Sequence, residues 1–299
     1  MKERPPAGAP RVGTLLRQRF ELVEELGRGG MGVVFKALDR LKAEARDRQP
    51  YVALKVLNEE FRDHPDGFMA LQREAKRANM LPHPNVIQVY DFDRDGEHVY
   101  LTMEYLIGRP LDDLLSTDFR GGVSFAKAWP VVSAVGAALE CGHAHGVIHC
   151  DLKPSNVFVC DDGRIKVLDF GIARRVPVAG HDTVITVFDP GKRIGAVTIA
   201  FASLEMLLGA PADPRDDIYA LACLTYELLA GMPPYSPPDA RVALERGLTA
   251  QRLSALTGAQ WRGLRQSLAL RREERTSRVR ALLNALEPGG LLGRLWRRG

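Results

Sequence analysis

Hydrophobic and polar residues follow different periods in the two halves of the chain. In the first half, short runs alternate apolar and polar positions, which predicts strands. The runs are FELVEELG, MGVVFKAL, YVALKVL, NVIQVYDF and HVYLTMEYL. Phe68–Leu81 has helical spacing, and the charged run LKAEARDRQP predicts a loop or an elongated hairpin that ends at Pro50. We therefore expect a small lobe over residues 20–107 that consists of a sheet and one helix.

The second half is mainly helical in its spacing. Apolar residues recur at helical intervals over Ala126–His145, Asp217–Gly231 and Leu244–Leu286. Two short strand-like runs, NVFVC and IKVLDF, flank an Asp-Asp-Gly turn. Gly108–Pro110 predicts a hinge before this lobe. The expected organisation is α+β, with a large lobe over 108–287, a flexible basic and Pro-rich leader over 1–19, and a short basic, apolar tail over 288–299.

Composition narrows the class of protein. Hydrophobic residues make up 45% of the 299 positions and charged residues 26%, which is typical of a globular chain. A net charge of +4 is too small to indicate a nucleic-acid partner. Four cysteines exclude a disulfide scaffold and favour a reducing compartment, so we expect a cytoplasmic location. We see neither a secretory signal nor a transmembrane segment.

A glycine cluster lies between the first two predicted strands. Gly27, Gly29 and Gly32 have the spacing G-x-G-x-x-G. In a dinucleotide-binding fold this motif opens a helix, whereas here a strand, Val33–Ala37, follows it. A glycine hairpin between strands can present backbone N–H groups to phosphates. On its own, the motif is equally typical of an ordinary flexible hairpin.

Three further motifs follow in order. Lys55 lies within an apolar strand, where an unpaired charge is costly, and Glu74 is an available partner. The run His149–Asn156 reads HCDLKPSN, and Asp169–Gly171 reads DFG. With the glycine hairpin, these motifs resemble those of bacterial eukaryotic-like (Hanks-type) Ser/Thr protein kinases. The resemblance extends over most of the chain, from Phe20 to Glu287.

The resemblance implies a bilobal protein-kinase fold and a phosphotransferase activity in signalling. The expected reaction transfers the γ-phosphate of ATP to Ser or Thr hydroxyls of protein substrates, including the kinase itself, with Mg²⁺ or alternatively Mn²⁺. A cognate phosphatase is a further expected partner. By resemblance, Asp151 is the catalytic base, Lys153 faces the transferred phosphate, and Lys55 pairs with Glu74 to position phosphates. The implied metal ligands are Asn156 and Asp169.

The resemblance also assigns nucleotide-binding and supporting residues. The nucleotide set comprises Gly27, Gly29, Gly32, Val34, Ala53, Lys55, Met103, Glu104, Leu106 and Asp113, with Asp112 as the alternative to Asp113 for the ribose. Asp217 resembles the buried carboxylate that braces the catalytic loop. Glu205 resembles the acidic end of the activation segment, with Arg275 as its expected partner.

Other interpretations remain beside this one. A pseudokinase would bind a nucleotide or a partner without transfer, but such proteins have usually lost at least one of the key residues, and all four are present: Lys55, Asp151, Asn156 and Asp169. A kinase of small molecules shares the fold, but the DLKP element favours protein substrates. The Cys- and His-rich stretch Cys141–Cys150 invites a zinc site, although the resemblance assigns His149 to the catalytic loop.

The chain departs from the family pattern at three positions. Cys150 replaces the usual Arg, Leu204 stands where a proline is usual before Glu205, and Ala222 replaces a frequent glycine. No phosphate, metal or proton ligand is lost. We expect autophosphorylation at Thr183 and Thr186. Because a thiol cannot pair with a phosphate as a guanidinium does, we expect little dependence of activity on that modification.

Overall fold

The structure is a computed structural model that describes residues 10–29, 32–57, 81–170, 176–177, 184–185 and 199–289. The chain folds into two units. In the described residues, the first unit contains 10–57 and 87–107 with the two short segments at 176–177 and 184–185. The second contains 81–86, 108–170 and 199–289.

The first unit contains an antiparallel sheet. Its six described strands lie in the order β1-β2-β3-β4-β6-β5. They are β1 (Leu15–Leu16), β2 (Phe20–Gly29), β3 (Gly32–Asp39), β4 (Tyr51–Leu57), β5 (Val89–Asp95) and β6 (His98–Glu104). One face carries a core of Leu16, Phe20, Leu22, Phe35, Ala37, Val52, Leu54, Val56 and Tyr100. The alternation in the sequence therefore matches the two faces of the sheet.

Four details of the first unit differ from the sequence predictions or lie beyond them. The stretch predicted as a loop contains α1 (Arg40–Glu44), because Asp39 caps it by accepting from the Leu41 N–H at 3.2 Å. β5 begins at Val89 rather than at Asn85. The flexible leader is predicted over residues 1–19, but within it Leu16 pairs with Phe20 and is buried. Apart from Leu81, the predicted helix 68–81 lies outside the described residues.

The second unit combines helices with a small antiparallel sheet of β7 (Gly108–Pro110), β8 (Val157–Cys160) and β9 (Ile165–Val167). The predicted hinge at Gly108–Pro110 is therefore a strand that pairs with β8. The helices are α2 (Leu111–Ser116), α3 (Phe125–Ala144), α4 (Leu204–Leu207), α5 (Pro214–Ala230), α6 (Ala240–Glu245), α7 (Gly258–Ser267) and α8 (Val279–Leu286). Pro154–Asn156 and Arg272–Glu274 form 3₁₀ turns, and β10 (Val176–Pro177) pairs with β11 (Val184–Ile185).

Helix α5 is the central buried element of the second unit. Asp213 caps its N-terminus in a capping box with Asp216, Pro214 occupies the first turn, and Gly231 ends the helix in the left-handed region at φ 70°. Most of its side chains are buried against a core to which α3 and α8 also contribute. Because the first turn is buried, Asp217 lies inside the protein. No described helix has both the length and the apolar character that a membrane span requires.

Candidate active site

The glycine hairpin joins β2 to β3, and Gly29 pairs with Gly32 at its end. A Cβ atom added to Gly27 or Gly29 would meet no described atom within 4 Å. At Gly32, by contrast, φ is 152° and an added Cβ would lie 1.9 Å from the carbonyl oxygen of Val56. The packing of the sheet therefore requires glycine at position 32. Packing in the described residues does not require glycine at positions 27 and 29. Glycines at these two positions are consistent with a backbone that another molecule approaches closely.

Lys55 lies in the middle of the sheet, where its β4 position pairs with Val34 on β3 and Leu101 on β6. Only 6% of Lys55 is exposed, and Ala53 is equally buried. Because side chains alternate along a strand, both face away from the core formed by Val52, Leu54 and Val56. The structure therefore places Lys55, Ala53 and the half-buried Val34 in one neighbourhood. The expected partner Glu74 lies outside the described residues.

The segment predicted to bind adenine follows the end of β6. Met103 is buried, and Glu104 forms two hydrogen bonds with Gln88. The Glu104 N–H donates to the Gln88 carbonyl at 2.9 Å, and the Gln88 N–H donates to Glu104 Oε1 at 2.8 Å. Because that N–H is already used, any contact of Glu104 with a base would use its carbonyl. Leu106 follows at a half-buried position.

Both candidate ribose ligands lie in the first turn of α2. Arg109 Nε donates to Asp113 Oδ2 at 2.6 Å, and Asp112 Oδ1 accepts from the Asp113 N–H at 3.0 Å. The pair of Arg109 and Asp113 is exposed, so it is weak and readily exchanged for another partner. The geometry therefore leaves both carboxylates as candidates.

The predicted catalytic loop (His149–Asn156) is held in the second unit by hydrogen bonds to Asp217. Its Oδ2 accepts from the backbone N–H of His149 at 2.8 Å and from His143 Nε2 at 2.7 Å, and its Oδ1 accepts from the Cys150 N–H at 2.9 Å. Burial alone would raise the pKa of Asp217, but the hydrogen bond and charge of His143 hold the pKa below its usual value. The expected contact of Asp217 with the catalytic loop is confirmed.

His149 connects this loop to the DFG motif. Its Nδ1 accepts from the Asp151 N–H at 3.2 Å, and its Nε2 lies 2.9 Å from the Leu168 carbonyl. Since a backbone N–H donates and a carbonyl accepts, this hydrogen-bond pattern assigns Nδ1 as an acceptor and Nε2 as a donor. The ring also packs edge-on against Phe170, with 4.8 Å between centroids. The Asp151 backbone is thereby fixed relative to the residues around Asp169.

The Asp151 carboxylate is contacted by the side chains of Lys153 and Asn156. Lys153 Nζ lies 2.7 Å from Asp151 Oδ2, and Asn156 Nδ2 lies 3.1 Å from the same oxygen. Asn156 Nδ2 also donates to the Asp151 carbonyl at 2.8 Å, and the Asn156 carbonyl accepts from the Leu168 N–H at 2.8 Å. Asp169 follows with φ 54°, an unusual value for a residue other than glycine. The structure thus brings together the predicted base, the predicted lysine and one predicted metal ligand.

Carboxylate and amide oxygens suit a hard cation such as Mg²⁺. Because the Asn156 nitrogen faces Asp151, its Oδ1 is the atom that remains to bind a metal. The zinc hypothesis is not supported, since the histidines of that stretch turn to different partners: His143 to Asp217, His145 to the Cys141 carbonyl and His149 to the Leu168 carbonyl. Among the described residues, no cluster of three or more His, Cys, Asp or Glu has the geometry to hold an ion.

The end of the predicted activation segment is anchored as expected. Arg275 Nη2 donates to Glu205 Oε2 at 3.0 Å, and its side chain is fully buried. Burial raises the pKa of Glu205, but the charge of Arg275 and the hydrogen bonds to the carboxylate together outweigh burial, so the pKa lies below its usual value. The predicted contact is confirmed. Leu204, at the position where a proline is usual, begins α4 and is buried.

Three supporting residues escaped the sequence analysis: His143, Asp216 and Arg272. His143 lay within the apparent zinc stretch, and Asp216 directly precedes Asp217. A polar residue at the start of an apolar helix could have pointed to Asp216, but nothing in the sequence pairs it with Arg272, 56 positions away.

Comparison with known proteins finds a family profile and relatives that match most of this chain. The sequence profile described as "Protein kinase domain" matches residues 20–283. Serine/threonine-protein kinase PknB of Mycolicibacterium smegmatis is 36% identical over 74% of this chain and 34% of the relative. PknA of Mycobacterium tuberculosis is 34% identical over 76% of this chain and 50% of the relative. This chain therefore spans a third to a half of the length of these curated relatives.

A solved structure is also similar. The kinase domain of Mycobacterium tuberculosis PknI superposes with a TM-score of 0.67 at 24% identity, covering 93% of this chain and 98% of that one. At this identity the likeness establishes the fold alone.

Proposed function

Because this chain belongs to the protein kinase family, as a bacterial Hanks-type serine/threonine kinase, we propose that it transfers the γ-phosphate of Mg²⁺-ATP to Ser and Thr hydroxyls of proteins, itself included. The observation that carries this proposal is the convergence of Lys153 and Asn156 on the Asp151 carboxylate, above a loop that Asp217 holds. The kinase domain would extend over 20–287, with lobes at 20–107 and 108–287.

Asp151 is the group that would accept or orient the proton of the attacking hydroxyl. A general base works only where it meets the proton within hydrogen-bond distance, so its backbone must be held in place. His149 and Asn156 supply that support by hydrogen bonds to the Asp151 backbone. Lys153 places a positive charge beside the carboxylate, where negative charge on a transferred phosphate would need neutralising.

The first unit would bind the nucleotide. The bare backbone at Gly27 and Gly29 can approach phosphates, and the Lys55 ammonium can bind them once it is paired with Glu74. Val34, Ala53 and Met103 offer apolar surface to a base, and backbone groups from Glu104 to Leu106 can bind its edge. Asp113 or Asp112, in α2 of the second unit, would bind the ribose.

A divalent cation fits the donors of the second unit. Asn156 Oδ1 and the Asp169 carboxylate would hold Mg²⁺, or Mn²⁺ as the alternative, because both cations prefer oxygen ligands. The bound cation would neutralise charge on the phosphates. A cognate phosphatase, autophosphorylation at Thr183 and Thr186, both outside the described residues, and the cytoplasmic location inferred from cysteine content all stay predictions.

Two substitutions test the proposal. Asp169→Asn should weaken metal binding, and Lys55→Met should remove a phosphate ligand, so each should lower phosphate transfer about a hundredfold or more. Labelled ATP with Mg²⁺ and myelin basic protein as the acceptor measures the rate, and thermal unfolding checks the fold. Asp161→Asn, an exposed aspartate in the β8–β9 turn, is the matched control. Wild-type rates in both variants would reject the mechanism, and an inactive wild-type protein would favour the pseudokinase.

A further inference from the structure

A second anchor holds the segment before Glu205, and it is formed by Ser203, Asp216 and Arg272. The Ser203 hydroxyl donates to Asp216 Oδ1 at 2.8 Å. Arg272 Nη2 lies 3.0 Å from Asp216 Oδ2 and 3.1 Å from Oδ1. The Arg272 backbone N–H donates to Glu205 Oε1 at 2.7 Å, which joins this anchor to the pair of Glu205 and Arg275.

The anchor is buried. Ser203 is fully buried, the Asp216 side chain has no exposed surface, and 17% of the Arg272 side chain is exposed. A buried carboxylate without partners would be strongly destabilising, so Asp216 needs its donors. The Asp213 N–H supplies another one, at 2.9 Å from Oδ2. Because the contact between Ser203 and Asp216 is buried, water does not readily replace it.

Asp216 and Asp217 are neighbours in the first turn of α5, and each holds a different loop. Asp217 binds the backbone of the catalytic loop at His149 and Cys150. Asp216 binds Ser203, at the end of the segment that leads to Glu205. One rigid helical turn thus fixes the distance between the two loops.

The two loops meet beside Asp151. Phe201 and Ala202, directly before Ser203, line a narrow cavity together with Asp151 and Leu152. A shift of Ser203 would carry Phe201 and Ala202 with it and would change the surface next to the base.

We propose that Asp216, with Ser203 and Arg272, is a positioning group that sets the segment Phe201–Ser203 relative to Asp151 and so determines the affinity for the protein substrate. The inference rests on the proposed function, in which Asp151 meets the acceptor hydroxyl. It assigns these residues no contact with ATP, so the affinity for ATP should not depend on them.

The sharpest test is Ser203→Ala, which disconnects the segment without leaving a buried charge unpaired. The KM for myelin basic protein should rise about three- to tenfold, as expected for one lost hydrogen bond, while the KM for ATP stays at the wild-type value. Ser203 also caps α4 by accepting from the Met206 N–H at 3.2 Å, so a lower melting temperature alone is not informative.

Asp216→Asn distinguishes loss of the anchor from loss of the α4 cap. It keeps the shape of the side chain and leaves the Ser203 hydroxyl in place to cap α4. It should raise the same KM, and the double variant should exceed the larger single effect by less than about twofold, since both changes weaken the same contact between Ser203 and Asp216. Arg272→Lys keeps the charge at the anchor and should retain part of the affinity. The exposed neighbour Arg271→Met is the control and should behave as wild type.

The outcomes separate the two proposals. An active wild-type protein whose Ser203→Ala variant keeps its KM for the acceptor would overturn the positioning role alone. An equal rise of the KM for ATP would overturn it as well, because that result indicates a general loss of structure. A wild-type protein that transfers no phosphate would reject the proposed function, and this inference with it.

Discussion

The glycine hairpin of the first unit and the catalytic loop of the second unit control their backbones in opposite ways. At Gly27 and Gly29 no described atom lies near the place of a side chain. In the catalytic loop, buried side chains bind the backbone: Asp217 holds the N–H groups of His149 and Cys150. The hairpin lacks side chains at two of its positions, whereas the loop is held in place by hydrogen bonds to a buried side chain.

The difference follows from the chemistry that each region would perform. Backbone N–H groups reach phosphates only when no side chain intervenes, so a nucleotide-binding hairpin needs glycines more than it needs supports. A base must stay within hydrogen-bond distance of a proton, so its loop needs supports from several directions. Adding atoms should therefore harm the hairpin, whereas removing acceptors should harm the loop.

The largest effect on the free energy of unfolding is expected from Asp217→Asn. An amide has one oxygen where the carboxylate has two, so it cannot accept from His149, Cys150 and His143 together, and its NH₂ group faces a donor. We expect the free energy of unfolding to fall by about 3 kcal/mol and phosphate transfer to fall at least about tenfold. Urea denaturation and the transfer assay measure both. Asp161→Asn is again the control, and wild-type stability would contradict the bracing role.

A smaller and more selective effect is expected in the hairpin. Gly32→Ala places a Cβ against the Val56 carbonyl at a positive φ, so it should cost about 2 kcal/mol of unfolding free energy. Gly29→Ala meets no described atom, so its stability should equal that of the wild type. Its KM for ATP should instead rise about three- to tenfold.

Calorimetry and the KM for ATP, measured on both hairpin variants, distinguish the two glycines. If Gly29→Ala lost stability and kept its KM for ATP, the glycine would serve the fold rather than the nucleotide.

The smallest effect is expected from modification of the activation segment. Cys150 has φ 63° and lies beside the cavity next to Asp151, where its thiol offers no charge to a phosphate. The dephosphorylated Thr183→Ala/Thr186→Ala variant should therefore transfer phosphate within about tenfold of the wild-type rate, equivalent to about 1.4 kcal/mol of barrier. A larger loss would mean that another basic residue, such as Arg174, Arg175 or Arg193, binds the phosphate.

Local patterns in the sequence were sufficient to predict most strands and helices. The strands predicted at β2, β3 and β4 and the helices predicted at α3 and α5 are present in the structure because each element contributes apolar side chains to one of the two cores. The errors lie where one contact outweighs the local pattern. Asp39 starts α1 inside a charged stretch because Arg19 holds its carboxylate at 2.7 Å. Gly108–Pro110 becomes a strand because β8 lies beside it.

By itself, the sequence determined the family and predicted the two-part organisation and the chemical groups of the site, because the motifs around Lys55, Asp151 and Asp169 are short and their chemistry depends on residue type. Only the tertiary structure decided what supports them besides the expected contact of Asp217. The contacts of His143 with Asp217, and of Ser203 and Arg272 with Asp216, join residues 13 to 74 positions apart. Such pairings depend on which buried charges meet once the core has formed, and no local pattern records them.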